Sequence, residues 1–326
     1  MCNFLIANAQ KQIEIIHADD FLFDKNKHPD YTKLVGNVSF KHEGATMHCD
    51  SAFQYKNNKL DAFGNIRINQ GDTLQLFGKK LFYNGNISKA IIKQDVRLVD
   101  KHMHLSTDQI HYNLEKNIAY YPEKGEIKDE ENHLFSDKGS YHSKSKLFYF
   151  KGNVKMINKE YIIITDTMIY HAENKVSFFF GPTTITSDAN IIYCENGWYN
   201  SKTNISQFQK NANINTNHYL LKGDSIFYDR NKGYGKAIRN IHLIDTTNNL
   251  ILNGNLGEYF EKTENAIVTQ NALLNLIAEQ DTLFVHADTF KSVIKDTKRE
   301  INAYHNVKCY KIDMQVKCDS LAYSLQ

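Results

Sequence analysis

Leu105-Ser106-Thr107-Asp108-Gln109-Ile110-His111-Tyr112 is followed, 29 residues on, by Leu134-Phe135-Ser136-Asp137-Lys138-Gly139-Ser140-Tyr141. Both stretches place an aliphatic residue three before an acid, a small residue just before it, and a tyrosine four after it. The pattern extends in both directions. Asp50, Lys79, Asp108, Asp137, Asp166, Glu195 and Asp224 stand 29 residues apart, and Asn255, Asp288 and Asp319 continue the series at looser spacing. The aliphatic position is filled by Met47, Leu76, Leu105, Leu134, Ile163, Ile192, Leu221, Leu252, Val285 and Val316. The small position includes Cys49, Cys194 and Cys318, which gives those thiols a packing role and not a place in a disulfide framework; Cys309 and Cys318 stand close enough in sequence to be considered as a pair. Self-similarity at a fixed period is the mark of a repeat architecture, and it decides the fold before any other argument.

A second motif lies between the acids. It reads Gly36-Asn37-Val38, Gly64-Asn65-Ile66, Gly152-Asn153-Val154 and relatives, including Arg239-Asn240-Ile241 and His305-Asn306-Val307, with a weaker copy at Gly125-Glu126-Ile127. Two residues past its Val-like position another apolar side chain follows, among them Ile68, Leu98, Met156, Ile214 and Leu243; Asp129 breaks this rule in the weak copy.

Apolar residues alternate within each motif, which is the period of a strand. Turn-forming runs such as Lys56-Asn57-Asn58 and Asn84-Gly85-Asn86 separate the motifs. Each unit therefore holds two strands of about ten to twelve residues, and short turns join antiparallel neighbours. About twenty serial antiparallel strands follow. Asn265–Gln280 keeps this register and reads as strand rather than helix. Around each acid the apolar positions change parity, which a flat strand cannot present on one face. A bulge at Asp50, Asp108, Asp137, Asp166, Glu195, Asp224, Asp288 and Asp319 restores the inward direction and folds the sheet. The carboxylates are then structural and accept backbone N–H groups freed at the bend, with Gly-Asn as the matching corner.

Other function classes find little support. Net charge is +2, and Lys and Glu are interleaved without a basic block, so no nucleic-acid surface is expected. No run of 18 apolar residues predicts a transmembrane helix. Fourteen histidines, His102 and His104 among them, show no metal-ligand spacing, and no nucleophile elbow or phosphate loop occurs. One carboxylate per repeat is the signature of architecture, so no enzyme, cofactor or metal is expected. Phe4-Leu5-Ile6-Ala7-Asn8-Ala9 reads as the remnant of a secretory signal over residues 1–9, with the repeat domain spanning 10–326 and the mature chain starting near Gln10.

The Gly36-Asn37-Val38 motif paired with the Cys49-Asp50-Ser51-Ala52 motif, returning at Cys318-Asp319-Ser320-Leu321, resembles the OstA-like family, which includes LptA, the periplasmic part of LptC and the N-terminal domain of LptD. The resemblance covers the chain from about residue 13 onward. It implies an all-β fold, an open V-shaped β-jellyroll, and a role in lipopolysaccharide transport in the periplasm. On their own the aliphatic rows read as a dry core. The resemblance turns them into a trough for lipid A acyl chains, lined by Leu76, Leu105, Leu134, Ile163, Ile192, Leu221, Leu252, Val285, Ile68, Leu98, Met156, Ile214 and Leu243. It also implies partners of the same Lpt type, joined by edge-strand pairing. Gly139, Gly197 and Gly257 take the apolar slot two after the acid, where they widen the interior or fit a tight bend. The competing architectures are a parallel β-helix, as in an extracellular adhesin or carbohydrate-active protein, and an outer-membrane β-barrel.

Overall fold

The computed structural model describes residues 13–42, 44–71, 74–101, 103–278, 281–295 and 298–325. The signal reading at residues 1–9, the start near Gln10 and His102 lie outside them. The chain divides into two compact units, Met1–Lys159 and Glu160–Gln326.

The first unit holds β1 (Glu14–His17), β2 (Asp20–Leu22), β3 (Tyr31–His42), β4 (Ala45–Tyr55), β5 (Lys59–Gln70), β6 (Leu74–Asn84), β7 (Lys89–Val99), β8 (His104–Asn113), β9 (Ile118–Tyr121), β10 (Gly125–Lys128), β11 (Asn132–Ser136), β12 (Lys138–His142) and β13 (Leu147–Asn158). The second holds β14 (Tyr161–His171), β15 (Val176–Ser187), β16 (Asn190–Asn200), β17 (Ile205–Thr216), β18 (Tyr219–Asp229), β19 (Tyr234–Asp245), β20 (Leu250–Phe260), β21 (Asn265–Ile277), β22 (Thr282–Lys295), β23 (Lys298–Lys311) and β24 (Met314–Ser324). A single 3-10 turn, Glu261–Thr263, is the only helical element among the described residues. Within each unit the strands pair antiparallel, mostly in succession, as in β4–β5 and β17–β18; in the first unit β1 and β2 both pair with β3, and the broken copies pair as β8–β10, β9–β12 and β11–β13. Antiparallel pairing excludes the parallel rungs of a β-helix. Asn265–Ile277 is strand, as its register requires.

Local chemistry sets the hairpins. Asn58, Ser88, Asn117, Lys175, Asn204 and Asn249 each adopt a left-handed conformation one residue before a strand begins. Asn tolerates that region better than most residues with a Cβ, and this accounts for the asparagine-rich turns.

The sheet of each unit is creased once per strand, and the extra residue lies on the Gly-Asn strand rather than at the acid. In β3–β4, Val35 faces Ser51 and Val38 faces Cys49, so Gly36 and Asn37 together oppose Asp50 alone. Both are left-handed, with φ of 79° and 45°. The same two-against-one step recurs between Phe63 and Ile66 in β5 and between Gln209 and Ala212 in β17. A bulge of this kind bends its strand sharply. It divides each strand into an aliphatic arm, before the acid and after Gly-Asn, and a tyrosine arm on the other side. Leu34, Ala52 and Leu60 of the tyrosine arm share one buried cluster with Val38, Phe40 and Met47 of the aliphatic arm. In the second unit Leu252, Leu274 and Val285 likewise meet Val268, Phe290 and Ala303.

The weak copy departs from the register read in the sequence. Pro122 follows β9 and the strand resumes only at β10. Gly125 faces both Thr107 and Ser136, so it takes the Val-like slot, and Ile127 takes the second apolar slot opposite Leu105 and Leu134. With the register moved by two residues, Asp129 is no exception. Gly125 is small because the Tyr121 ring occupies the space its Cβ would need, 2.5 Å away.

Candidate functional site

The aliphatic positions form one cross-strand row in each unit. In the first, Met47 faces Ile68, Ile68 faces Leu76, Leu76 faces Leu98, and Leu98 faces Leu105. Ile127 continues the row to Leu134, which faces Met156. In the second, Ile163 leads through Ile185 to Ile192, Ile214, Leu221, Leu243 and Leu252, then through Leu274 to Val285. Fully burying a side chain of this size contributes about 1.5–3 kcal/mol, so the row is also a main source of stability.

The tyrosine arm carries a facing row. Leu34, Ala52, Ala62, Leu81, Ile92 and Ile110 pair in succession. In the second unit Gly197 sits between Phe179 and Phe208. The glycines of this row do not widen the interior. A Cβ on Gly139 would stand 2.3 Å from the Tyr121 ring, and one on Gly197 would stand 3.2 Å from Phe208. Large neighbours fill the slots that the glycines vacate.

The arms of the first unit do not close on each other completely. Between them lies a cavity of about 320 Å³. Its floor is apolar, with Ile68, Leu76, Leu98 and Leu105 from the aliphatic arm and Leu81, Ile92 and Ile110 from the tyrosine arm. Leu134 and Met156 are buried in the same row but lie outside the cavity lining. Ile163, Leu252 and Val285 are buried in the second unit. Ile192, Ile214 and Leu221 pack there against the cluster around Cys194 and Phe208, and Leu243 packs against the cluster of Leu252 and Val285.

The free ends of the strands form the cavity mouth. The Tyr83 hydroxyl and His42 Nε2 are hydrogen-bonded at 2.8 Å across it, tyrosine arm to aliphatic arm. Tyr112 and Tyr141, the equivalents of Tyr83 in later copies, also line the cavity. Burial raises the Tyr112 hydroxyl above its ordinary value and pushes Tyr121, whose hydroxyl bonds Ser136 at 2.6 Å, up to about 12. These phenols stay protonated, as donors beside an apolar surface.

The acids sit outside, along the crease. Most of them accept side-chain amides; the backbone N–H expected from the sequence is found in the copy where Asn255 takes the acid's place and accepts from Asn240 N at 3.3 Å. Asn65 Nδ2 donates to Asp50 at 2.9 Å, Asn153 to Asp137 at 2.8 Å, Asn211 to Glu195 at 2.7 Å, Asn240 to Asp224 at 3.0 Å, and Asn306 to Asp288 at 2.7 Å. Each bond joins one strand to the next across the bulge. The series begins one copy earlier than the sequence reading placed it, because Asn37 donates to Asp19 at 2.9 Å. In one copy both partners change together: Lys79 replaces the acid, Asp95 replaces the asparagine, and the two form an ion pair. Where Pro182 replaces the asparagine, Asp166 takes a bond from Thr167 Oγ1 at 2.9 Å. Asp108 lies opposite the break between β9 and β10, and Asp319 stands 3.6 Å from His305 Nδ1.

Cys49, Cys194, Cys309 and Cys318 are free thiols. Burial, with the Asp50 charge second, pushes Cys49 up to about 12. Among the described residues no group of three or more His, Cys, Asp or Glu is placed to hold a metal ion, and no helix is long and apolar enough to cross a membrane.

Comparison with curated protein sequences finds no match. Among solved structures the chain is similar to LptH of Pseudomonas aeruginosa, described as the LptA homologous periplasmic component of the lipopolysaccharide transport device. The two share 13% identity and a TM-score of 0.30, over 34% of this chain and 81% of that one. The OstA-like protein family matches residues 10–166 and 167–284. With creased antiparallel strands, paired motifs and most of its length accounted for in this way, the chain belongs to the OstA-like protein family.

Proposed function

We propose that the protein carries lipopolysaccharide through the periplasm by holding acyl chains against the aliphatic rows, and that it acts without catalysis. The observation that carries this reading is the open apolar cavity between the arms of the first unit, with Ile68, Leu76, Leu98 and Leu105 on its floor. Each methylene moved from water into such a lining gains about 0.8 kcal/mol. Approximately ten of them would gain about 8 kcal/mol before ordering costs are subtracted. The near-equivalence of successive row positions lets a chain move along them without meeting a deep trap. The corresponding positions of the second unit, Ile163, Ile192, Leu221, Leu252 and Val285, offer a row of the same kind for the same function. Domains of the same family, pairing edge to edge, are the proposed partners.

A photoreactive amino acid placed at Leu76 or Leu105 tests the reading in cells that make labelled lipopolysaccharide. Crosslinks are expected at both positions and not at the outward-facing Arg97. Equal labelling at Arg97, or none at Leu76 and Leu105 in folded protein, refutes it.

A further inference from the structure

The residue four after the acid is usually tyrosine, and its place in the fold gives it a task. It stands near the free end of the tyrosine arm, and in several copies it reaches across to the free end of the aliphatic arm. In the first unit Tyr83 meets His42 in this way, and Gln54, in the same slot, donates from Nε2 to the Ile13 carbonyl at 3.3 Å. In the second unit Tyr199, near the end of β16, meets Tyr161, the first residue of β14, with ring centroids 6.3 Å apart and planes at 87°. Beside them Arg230, in the turn after β18, stands 3.6 Å from Glu160, the residue just before β14. Burial raises the Tyr199 hydroxyl above its ordinary value, and the charges of Arg230 and Glu160 both act on it. The four side chains therefore form one group that spans the mouth of the second unit, two from each rim.

The tyrosine side of this group is anchored. Successive turns of that rim are joined by backbone bonds: Ser201 N donates to the Lys175 carbonyl at 3.0 Å, and Arg230 N to the Asn204 carbonyl at 3.1 Å. Asn204 Nδ2 donates to Asn231 Oδ1 at 3.2 Å, and Asn231 Nδ2 to the Thr203 carbonyl at 2.9 Å. Arg230 is thus a post on a laced rim. Behind the group runs the inner row of Ile163, Ile192, Ile214 and Leu221. An aromatic contact and an exposed ion pair are each weak, so the group can release and re-form. A barrier of this kind governs the rates of entry and exit alike. We propose that Glu160, Tyr161, Tyr199 and Arg230 are a clasp that holds an acyl chain in the second unit against sideways escape. The proposal rests on the reading that the aliphatic rows take acyl chains, and it adds what keeps a chain from leaving between the arms.

The test uses the full chain and cis-parinaric acid, a fluorescent fatty acid with a single chain. Energy transfer from Trp198, the lone tryptophan, which lies in the second unit, reports the bound chain. Stopped-flow mixing gives the entry and release rates, and their ratio gives Kd. Arg230→Gln and Tyr161→Ala are each expected to speed entry and release together, by about three- to tenfold, with Kd within about twofold of the wild type. Glu160→Arg combined with Arg230→Glu, which restores the ion pair in reverse, is expected to bring both rates back to within about twofold of the wild type. Lys202→Gln removes an exposed cation from the same rim and is expected to change neither rate. Added salt should speed release from the wild type and not from Arg230→Gln. Unchanged rates in Arg230→Gln and Tyr161→Ala, or faster release without faster entry, overturn the clasp and leave lipid carriage standing. Absence of energy transfer in the wild type removes the second unit as a lipid site, and the clasp falls with it.

Discussion

Gly64→Ala isolates what the crease contributes. Gly64 has φ of +75°, and a Cβ there would stand 2.2 Å from Asp50 Oδ2 and 2.8 Å from its Cγ. Two costs follow. A left-handed residue with a Cβ loses about 1–2 kcal/mol. The Asp50 carboxylate must also move away, which breaks its bonds from Asn65 at 2.9 and 3.2 Å; an exposed charge-assisted bond of this kind contributes about 1 kcal/mol. Together they amount to about 2–3 kcal/mol. Gly44 is the control, with φ of +82° and nothing within 4 Å of its Cβ position, so Gly44→Ala incurs the backbone cost alone, about 1–2 kcal/mol. In an Asp50→Ala background the extra cost of Gly64→Ala should vanish. The lone tryptophan, Trp198, lies in the second unit, so its fluorescence does not follow this site. Hydrogen exchange of peptides covering β4–β6 does. Equal deprotection in Gly64→Ala and Gly44→Ala, with no coupling to Asp50, would refute the account of the crease as a sterically fitted latch.

Other outcomes follow from the same geometry. Lys79→Asp and Asp95→Asn should each reduce protection of β6 and β7, and the double variant, which recreates the acid–amide pair of the other copies, should recover most of it by hydrogen exchange. The hydrogen bond and charge of Lys79 hold the Asp95 carboxyl below its ordinary value. The stabilisation is therefore fully present above the usual carboxylate range and is lost as pH falls through the lowered value. Lys79→Met should move the Asp95 titration upward in a carbon-detected NMR series. Gly139→Ala drives a methyl into the Tyr121 ring and should destabilise the first unit by about 2–3 kcal/mol, whereas Tyr121→Phe, which removes only the bond to Ser136, should cost about 1 kcal/mol, both read by urea unfolding followed by circular dichroism. Cys49, buried and raised to about 12, should resist alkylation at pH 8 in the native protein and react promptly in denaturant.

The period, the aliphatic rows and the parity change were legible in the sequence because each is a one-dimensional pattern tied to the two-residue repeat of a strand. The strand at Asn265–Ile277 was recovered by register alone. The latch was harder to read. Asp50 and Asn65 are 15 residues apart, whereas Asp288 and Asn306 are 18 apart, and the relation becomes visible only when neighbouring strands are laid side by side. That variable offset also hid Asp19, whose distance to Asp50 departs from 29 residues. In the weak copy a proline consumed residues that the motif count assigned to strand, so Gly125 was placed two positions out of register. Whether the rows enclose a dry core or an open cavity is not written in alternation at all. Leu76 and Leu134 share a position in the repeat, yet Leu76 lines the cavity and Leu134 does not.

A bond that ties an acid-bearing strand only to the strand after it makes length an adjustable quantity. Removing residues 195–223 would splice Cys194 onto Asp224, with each side chain still meeting the kind of partner it had before. The product would lose two strands and about 10 Å of reach while its cross-section stayed the same. Such a sheet can be lengthened or shortened in whole increments of two strands.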